Sequence, residues 1–161
     1  MKLTKSFEQG VCIIAIIATQ TSGDVVSSRT LQNRLNTSMT YSQKILRKLV
    51  VAGLIKSIPG NNGGFALAKA TTDISVLDVV MALEGEIDSY SNSNLLTSVF
   101  HNSNESLVNT AAADEAIHRI FMAADKVWMQ VLASISLADI IERVVHVNDK
   151  LPEIDWNNLN K

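Results

Sequence analysis

Pro59-Gly60-Asn61-Asn62-Gly63-Gly64 is the stretch that most restricts how this chain can fold. Proline fixes its own φ, and glycine and asparagine reach backbone conformations that other residues avoid, so these six residues reverse the chain. On either side lie short β-prone runs, Leu54-Ile55-Lys56-Ser57-Ile58 and Phe65-Ala66-Leu67-Ala68. Two such runs around a Gly/Asn turn read as a β-hairpin. Elsewhere the apolar residues recur at intervals of three and four, the period of helices. The chain is predicted to be mainly α with one small hairpin.

The residues ahead of the hairpin give that hairpin a meaning. A first, largely buried helix is predicted from about Ser6 to Thr19, on Phe7, Val11, Ile14 and Ala18 with Ile13, Ile16 and Ile17. Cys12 falls within this run and reads as a small buried hydrophobe. Ser27 or Ser28 can cap a short helix to about Leu35, with Leu31 and Leu35 inward. Asn36-Thr37-Ser38 then turns the chain, and Ser38 can cap a longer helix from about Met39 to Ala52. The inner stripe of that helix is Tyr41 or Ser42, then Ile45, Leu46, Leu49 and Val50, while Lys44, Arg47 and Lys48 occupy the remaining surface. Gly53 ends it. Two helices joined by a short turn, the second bearing cations, make a helix-turn-helix, and a hairpin placed directly after it is a wing.

Beyond the wing, Asp73 is the expected cap of a helix over 75–83, with Val76, Val79, Val80 and Leu83 inward and Gly85 past its end. From Glu86 to Asn109 the periodicity is lost and Ser and Asn dominate, with one helical turn expected near Leu95–Phe100. A long amphipathic helix follows from about Ala112 to Ala133. Its seam is Ile117, Ile120, Phe121, Ala124, Trp128 and Val131, continuing to Ile135. Ser136 can cap a last helix carrying Leu137, Ile140, Ile141, Val144 and Val145, and the tail after Asp149 is polar with Pro152 and Trp156. The expected division is a winged helix-turn-helix domain over 1–85, an effector-type loop over 86–111, and a dimerisation helix with a C-terminal helix over 112–161. A seam so apolar needs a second helix to cover it, and a two-fold partner supplies one.

The charge of the first half fits a polyanionic partner and an ordinary solvated surface equally well. Residues 1–70 carry nine basic and two acidic side chains, and residues 71–161 carry five and fourteen. Cys12 is the single cysteine, which rules out an intramolecular disulfide and any cysteine-based metal site within one chain. His101, His118 and His146 lack ligand spacing, so no metal and no cofactor are expected. Glu8, the spacing of Ala15 and Ala18, and the polar Thr19-Gln20-Thr21-Ser22 argue against a signal peptide. The apolar run before them is far short of the ~20 residues that span a bilayer, so a cytoplasmic protein without membrane contact is expected. No nucleophile–base pair, phosphate-binding loop or paired carboxylates stand out, and an enzyme is not expected.

Ser38-Met39-Thr40-Tyr41-Ser42-Gln43-Lys44-Ile45-Leu46, Leu49, Ala52-Gly53-Leu54-Ile55, Ser57, Gly60, Gly63-Gly64-Phe65 and Leu67-Ala68 together resemble the Rrf2 family of bacterial transcription regulators, the IscR, NsrR and CymR type. Ile74-Ser75-Val76-Leu77-Asp78-Val79-Val80, Ala82 and Glu84-Gly85 resemble the family's linker helix. The resemblance covers about residues 3–85 by motif and the rest by layout. It implies a symmetric homodimer on double-stranded DNA, its long helices crossing and its two recognition helices in successive major grooves.

On that footing Arg29, Lys44, Arg47, Lys48 and Lys56 are expected to meet phosphates, and Thr40, Tyr41 and Gln43 to read base edges. Ser38 and Tyr41 each have a structural use, a helix cap and a packed ring, of equal standing with DNA contact. Two departures from the family narrow the expectation. Pro59 stands where many relatives place a wing arginine, leaving Asn61 and Asn62 with Lys56 as weaker groove contacts. Residues 86–111 hold none of the three cysteines of cluster-binding relatives, so no iron-sulfur cluster is expected, and a small molecule or protein could act there instead. The competing reading is a winged-helix interaction adaptor with weak DNA binding, against which the retained cations count.

Overall fold

In the computed structural model, which describes residues 2–21, 24–91, 95–100, 110–144 and 152–159, the first helix, α1, spans Lys5–Ala18. Thr4 caps it, its side chain accepting from Ser6 N at 3.2 Å and its hydroxyl donating to Glu84 Oε1 at 2.6 Å. Ile13, Ile14, Ile16 and Ile17 of α1 are buried, as the periodicity requires. Cys12 is exposed, contrary to the expectation of a core position. At 100° per residue it stands one step round from Ile13, just outside the apolar stripe.

Helix α2, Ser28–Leu35, is capped by Ser27 and ends on Asn36 in the left-handed region, φ 48°. Helix α3, Met39–Val51, is capped by Ser38 and buries Ser42, Ile45, Leu46 and Leu49. Gly53, φ 68°, lets the chain leave α3 for the hairpin. Strands β1 (Ile55–Ile58) and β2 (Gly64–Leu67) pair antiparallel, Ile55 opposite Leu67 and Ile58 opposite Gly64. The hairpin is not isolated. Val26, just before α2, exchanges two backbone hydrogen bonds with Phe65 of β2, at 3.0 and 2.9 Å.

Helix α4, Val76–Glu84, begins later than Asp73 would have it. Asp73 instead closes a 3-10 turn, Thr71–Asp73, and Ile74 is extended and fully buried before the helix starts. The cap is Ser75, which accepts from Asp78 N while the Asp78 carboxylate accepts from Ser75 N, a reciprocal capping box. Gly85 ends the helix at φ 89°.

The chain divides into two compact units, residues 2–85 together with the described residues from 132 onward, and residues 86–131. In the first, Leu137 at the start of α7 (Leu137–Val144) is fully buried, and its N–H donates to Ile74 O at 2.8 Å. Trp156, which the sequence places in a polar tail, packs against the same core. That core joins α1, α2, α3, the hairpin and α4 through Ile13, Leu31, Ile45, Leu49, Leu54, Ile55 and Val79. Each fully buried Leu or Ile stabilises by on the order of 1.5–3 kcal/mol.

The second unit holds α5 (Leu95–Phe100) and most of α6 (Thr110–Ala133). Here Ser89 donates to Asp125 through its hydroxyl (2.5 Å) and backbone N–H (2.9 Å), which holds that carboxylate below its ordinary range. Tyr90 stacks on Phe121 with ring centres 5.5 Å apart and donates to Asp114 at 3.3 Å. Desolvation and the Asp114 charge raise its phenol. Among the described residues no helix is long and apolar enough to cross a membrane.

Gly64 is where the wing meets the connector before α2: a Cβ there would lie 2.3 Å from Val26 O. Gly64→Ala is expected to lower unfolding free energy in urea by about 2 kcal/mol, as overpacking against backbone does. A midpoint equal to wild type would show that the pairing is not under this constraint.

Candidate nucleic-acid interface

Sequence spacing puts Thr40, Gln43, Lys44 and Arg47 on one face of α3, at i, i+3, i+4 and i+7, opposite the buried stripe. All four are exposed. Ser38 caps α3, accepting from Tyr41 N at 3.3 Å. Tyr41 is half-buried, shares a hydrogen bond with Ser6 at 3.2 Å and packs against the core. Lys48 is also half-buried, and its ammonium donates to the carbonyl of Leu83 near the end of α4, where a cation is favoured.

Arg29 is exposed in the first turn of α2, Lys56 is exposed on β1, and Asn61 and Asn62 are exposed at the hairpin turn. Arg29, Asn61 and Asn62 line one cleft of about 710 Å³ between α2, the turn and the C-terminal segment. The same cleft holds Arg34, whose guanidinium lies 5.2 Å from the Trp156 ring centre, and the carboxylates of Asp24 and Asp155. Sequence reading missed Arg34, Trp156 and the Lys48 contact. The available signal was Trp156 with Ile154, two apolar residues close together in a mostly polar tail.

On α6, Ile117 and Trp128 are half-buried, whereas Ala124 is exposed and Ile120, Phe121 and Val131 are 67%, 41% and 53% exposed. Val127 extends this apolar stripe. His101, His146 and Val145 lie outside the described residues, as do 92–94 and 101–109 of the expected effector loop.

A helix-turn-helix with a following β wing and a cationic second helix defines a winged helix-turn-helix regulator. A family model described as Rrf2, iron-dependent transcriptional regulator, matches residues 3–143. The chain belongs to this family of transcriptional regulators. It is 32% identical to YwgB of Bacillus subtilis (strain 168) over 156 residues, 97% of this chain and 94% of that protein. With the HTH-type transcriptional regulator NsrR of Bacillus licheniformis it shares 23% identity over 151 residues, covering 94% and 99% of the two chains. Its fold matches the structure of CymR, described as the global cysteine regulator of B. subtilis, with a TM-score of 0.61. That match has 25% identity and covers 89% of this chain and 98% of that one.

Among the described residues, no group of side chains fits the metal that the family description implies. Cys12 is the chain's single thiol, it sits on α1, and among the described residues no three His, Cys, Asp or Glu side chains converge. An iron-sulfur cluster needs several thiolates together. Partial burial and the Glu8 carboxylate also push the Cys12 thiol above its ordinary pKa, so at neutral pH it is mostly protonated. Alkylation of Cys12 by iodoacetamide at pH 7.5 should therefore be slower than that of free cysteine and should quicken as pH rises. A rate above that of free cysteine would contradict this environment.

Proposed function

We propose that this protein binds double-stranded DNA sequence-specifically as a homodimer, represses transcription from a pseudo-palindromic operator, and does so without an iron-sulfur cluster. The exposed stripe Thr40, Gln43, Lys44 and Arg47 on α3 carries the reading. Gln43 can bridge an adenine edge, and Thr40 is small enough to contact a neighbouring base. Lys44, Arg47, Arg29 and Lys56 neutralise phosphates, which sets affinity without selecting sequence. Lys48, with its ammonium on Leu83, braces α3 against α4. Ser38 and Tyr41 shape the helix start, and Asn61 and Asn62 approach the minor groove in place of an arginine.

The apolar stripe of α6 supports the dimer, since Ile120, Val127 and Val131 leave in one chain a surface that a two-fold mate would cover. Such a dimer represses where its operator overlaps the site that polymerase must occupy. The want of thiolates in 86–111 supports a signal other than a cluster.

Four cations on each of two protomers imply that log K falls with log salt at a slope of about −7, or about 10⁴-fold between about 50 and 200 mM. Titration of the upstream promoter across a salt series tests this; a flat response with micromolar affinity would favour an adaptor. Gln43→Ala should relax sequence preference, and Lys44→Ala should weaken all sequences alike and flatten the slope. Ile120→Glu should give a monomer in sedimentation and reduce operator affinity by about 100-fold or more; a dimeric variant would refute the α6 interface. Protein purified without oxygen should be colourless, and a brown visible band would overturn the cluster-free reading.

A further inference from the structure

Helix α2 has eight residues, of which only Leu31 is fully buried. A helix that short is marginal without outside support. Support arrives from the other end of the chain. Ile154 N–H donates to Thr19 O at 2.8 Å, and Ile154 O accepts from Thr21 N at 3.1 Å, forming a parallel bridge at the end of α1. The Trp156 indole N–H donates to Thr19 Oγ1 at 2.9 Å, and its backbone N–H to Gln20 Oε1 at 3.1 Å. Its ring lies beneath Arg34 in the last turn of α2.

Asn157 then grips the opposite end of α2. Its Oδ1 accepts from Ser27 N at 3.1 Å and Thr30 Oγ1 at 2.9 Å, while its Nδ2 donates to Val25 O at 2.8 Å. A single amide thus holds residues on both sides of Val26, the residue paired with Phe65 of the wing. Wing position and the start of α2 are therefore fixed by the same few atoms.

We propose that residues 154–157 are a clamp that sets α2 against the wing, which makes Asn157 and Trp156 positioning residues for operator recognition; this rests on the DNA-binding reading above. Arg29 on α2 and Asn61 and Asn62 on the wing turn must meet one duplex at a fixed separation. Contacts at fixed separation matter for a specific complex, whereas a loosened surface still neutralises phosphate on any sequence.

The test uses the full chain. Asn157→Ala should reduce affinity for the operator about tenfold while affinity for random duplex changes less than about twofold. In parallel, without DNA, amide exchange at Val26, Thr30, Leu31 and Phe65 should quicken about tenfold, with the core amides of α1 and α3 unchanged. Where Asn157→Ala fails to fold, Trp156→Phe carries the test: it keeps the ring beneath Arg34, removes the indole donor, and should lower the operator preference about threefold. Unchanged exchange at those amides overturns the clamp, as does a parallel fall on operator and random DNA. The exchange arm needs no DNA. It decides the clamp even if the wild-type chain shows no operator preference, an outcome that overturns the DNA reading instead.

Discussion

The two backbone hydrogen bonds between Val26 and Phe65 are the joint on which the winged-helix unit depends. They satisfy polar groups that would otherwise be buried without partners, because Val26 is fully inaccessible. They also make the connector before α2 a short third edge to the hairpin, so that a two-stranded ribbon, marginal alone, becomes part of the core. Gly64 permits the approach, since any side chain at that point would strike the Val26 carbonyl. Placement of the helix-turn-helix and of the wing is thus one constraint, met by Val26 and by the adjacent pair Gly64 and Phe65 far along the chain from it.

Much of this was legible from residue order. Ser27 and Ser38 cap α2 and α3 as expected, because short polar side chains before an apolar repeat have little other local use. The hairpin follows from its turn residues, and the α3 stripe follows from a period of 3.6. The errors have physical causes. Asp73 precedes the true cap because a buried extended residue, Ile74, intervenes, and the pair Ser75 and Asp78 was the better signal. Cys12 sits at a boundary where one step of helix rotation separates core from surface. Contacts such as Lys48 to Leu83 or Asn157 to Val25 join positions 35 and 132 residues apart, and no local pattern encodes them.

The family sets a second contrast. Members are described as iron-dependent, yet this chain keeps the helical layout through residue 143 with a single cysteine on the first helix. Fold and ligand set are separable because the winged-helix core is made by Ile, Leu and Val contacts that involve no metal donor. The packing that presents α3 therefore does not require a metal donor.

The two tryptophans fall one to each compact unit, Trp128 on α6 and Trp156 beneath Arg34. The molecule therefore carries two separate optical probes. With Trp128 replaced by phenylalanine, tryptophan emission comes from Trp156 alone. Motion of the C-terminal segment can then be followed in solution in real time, without a label.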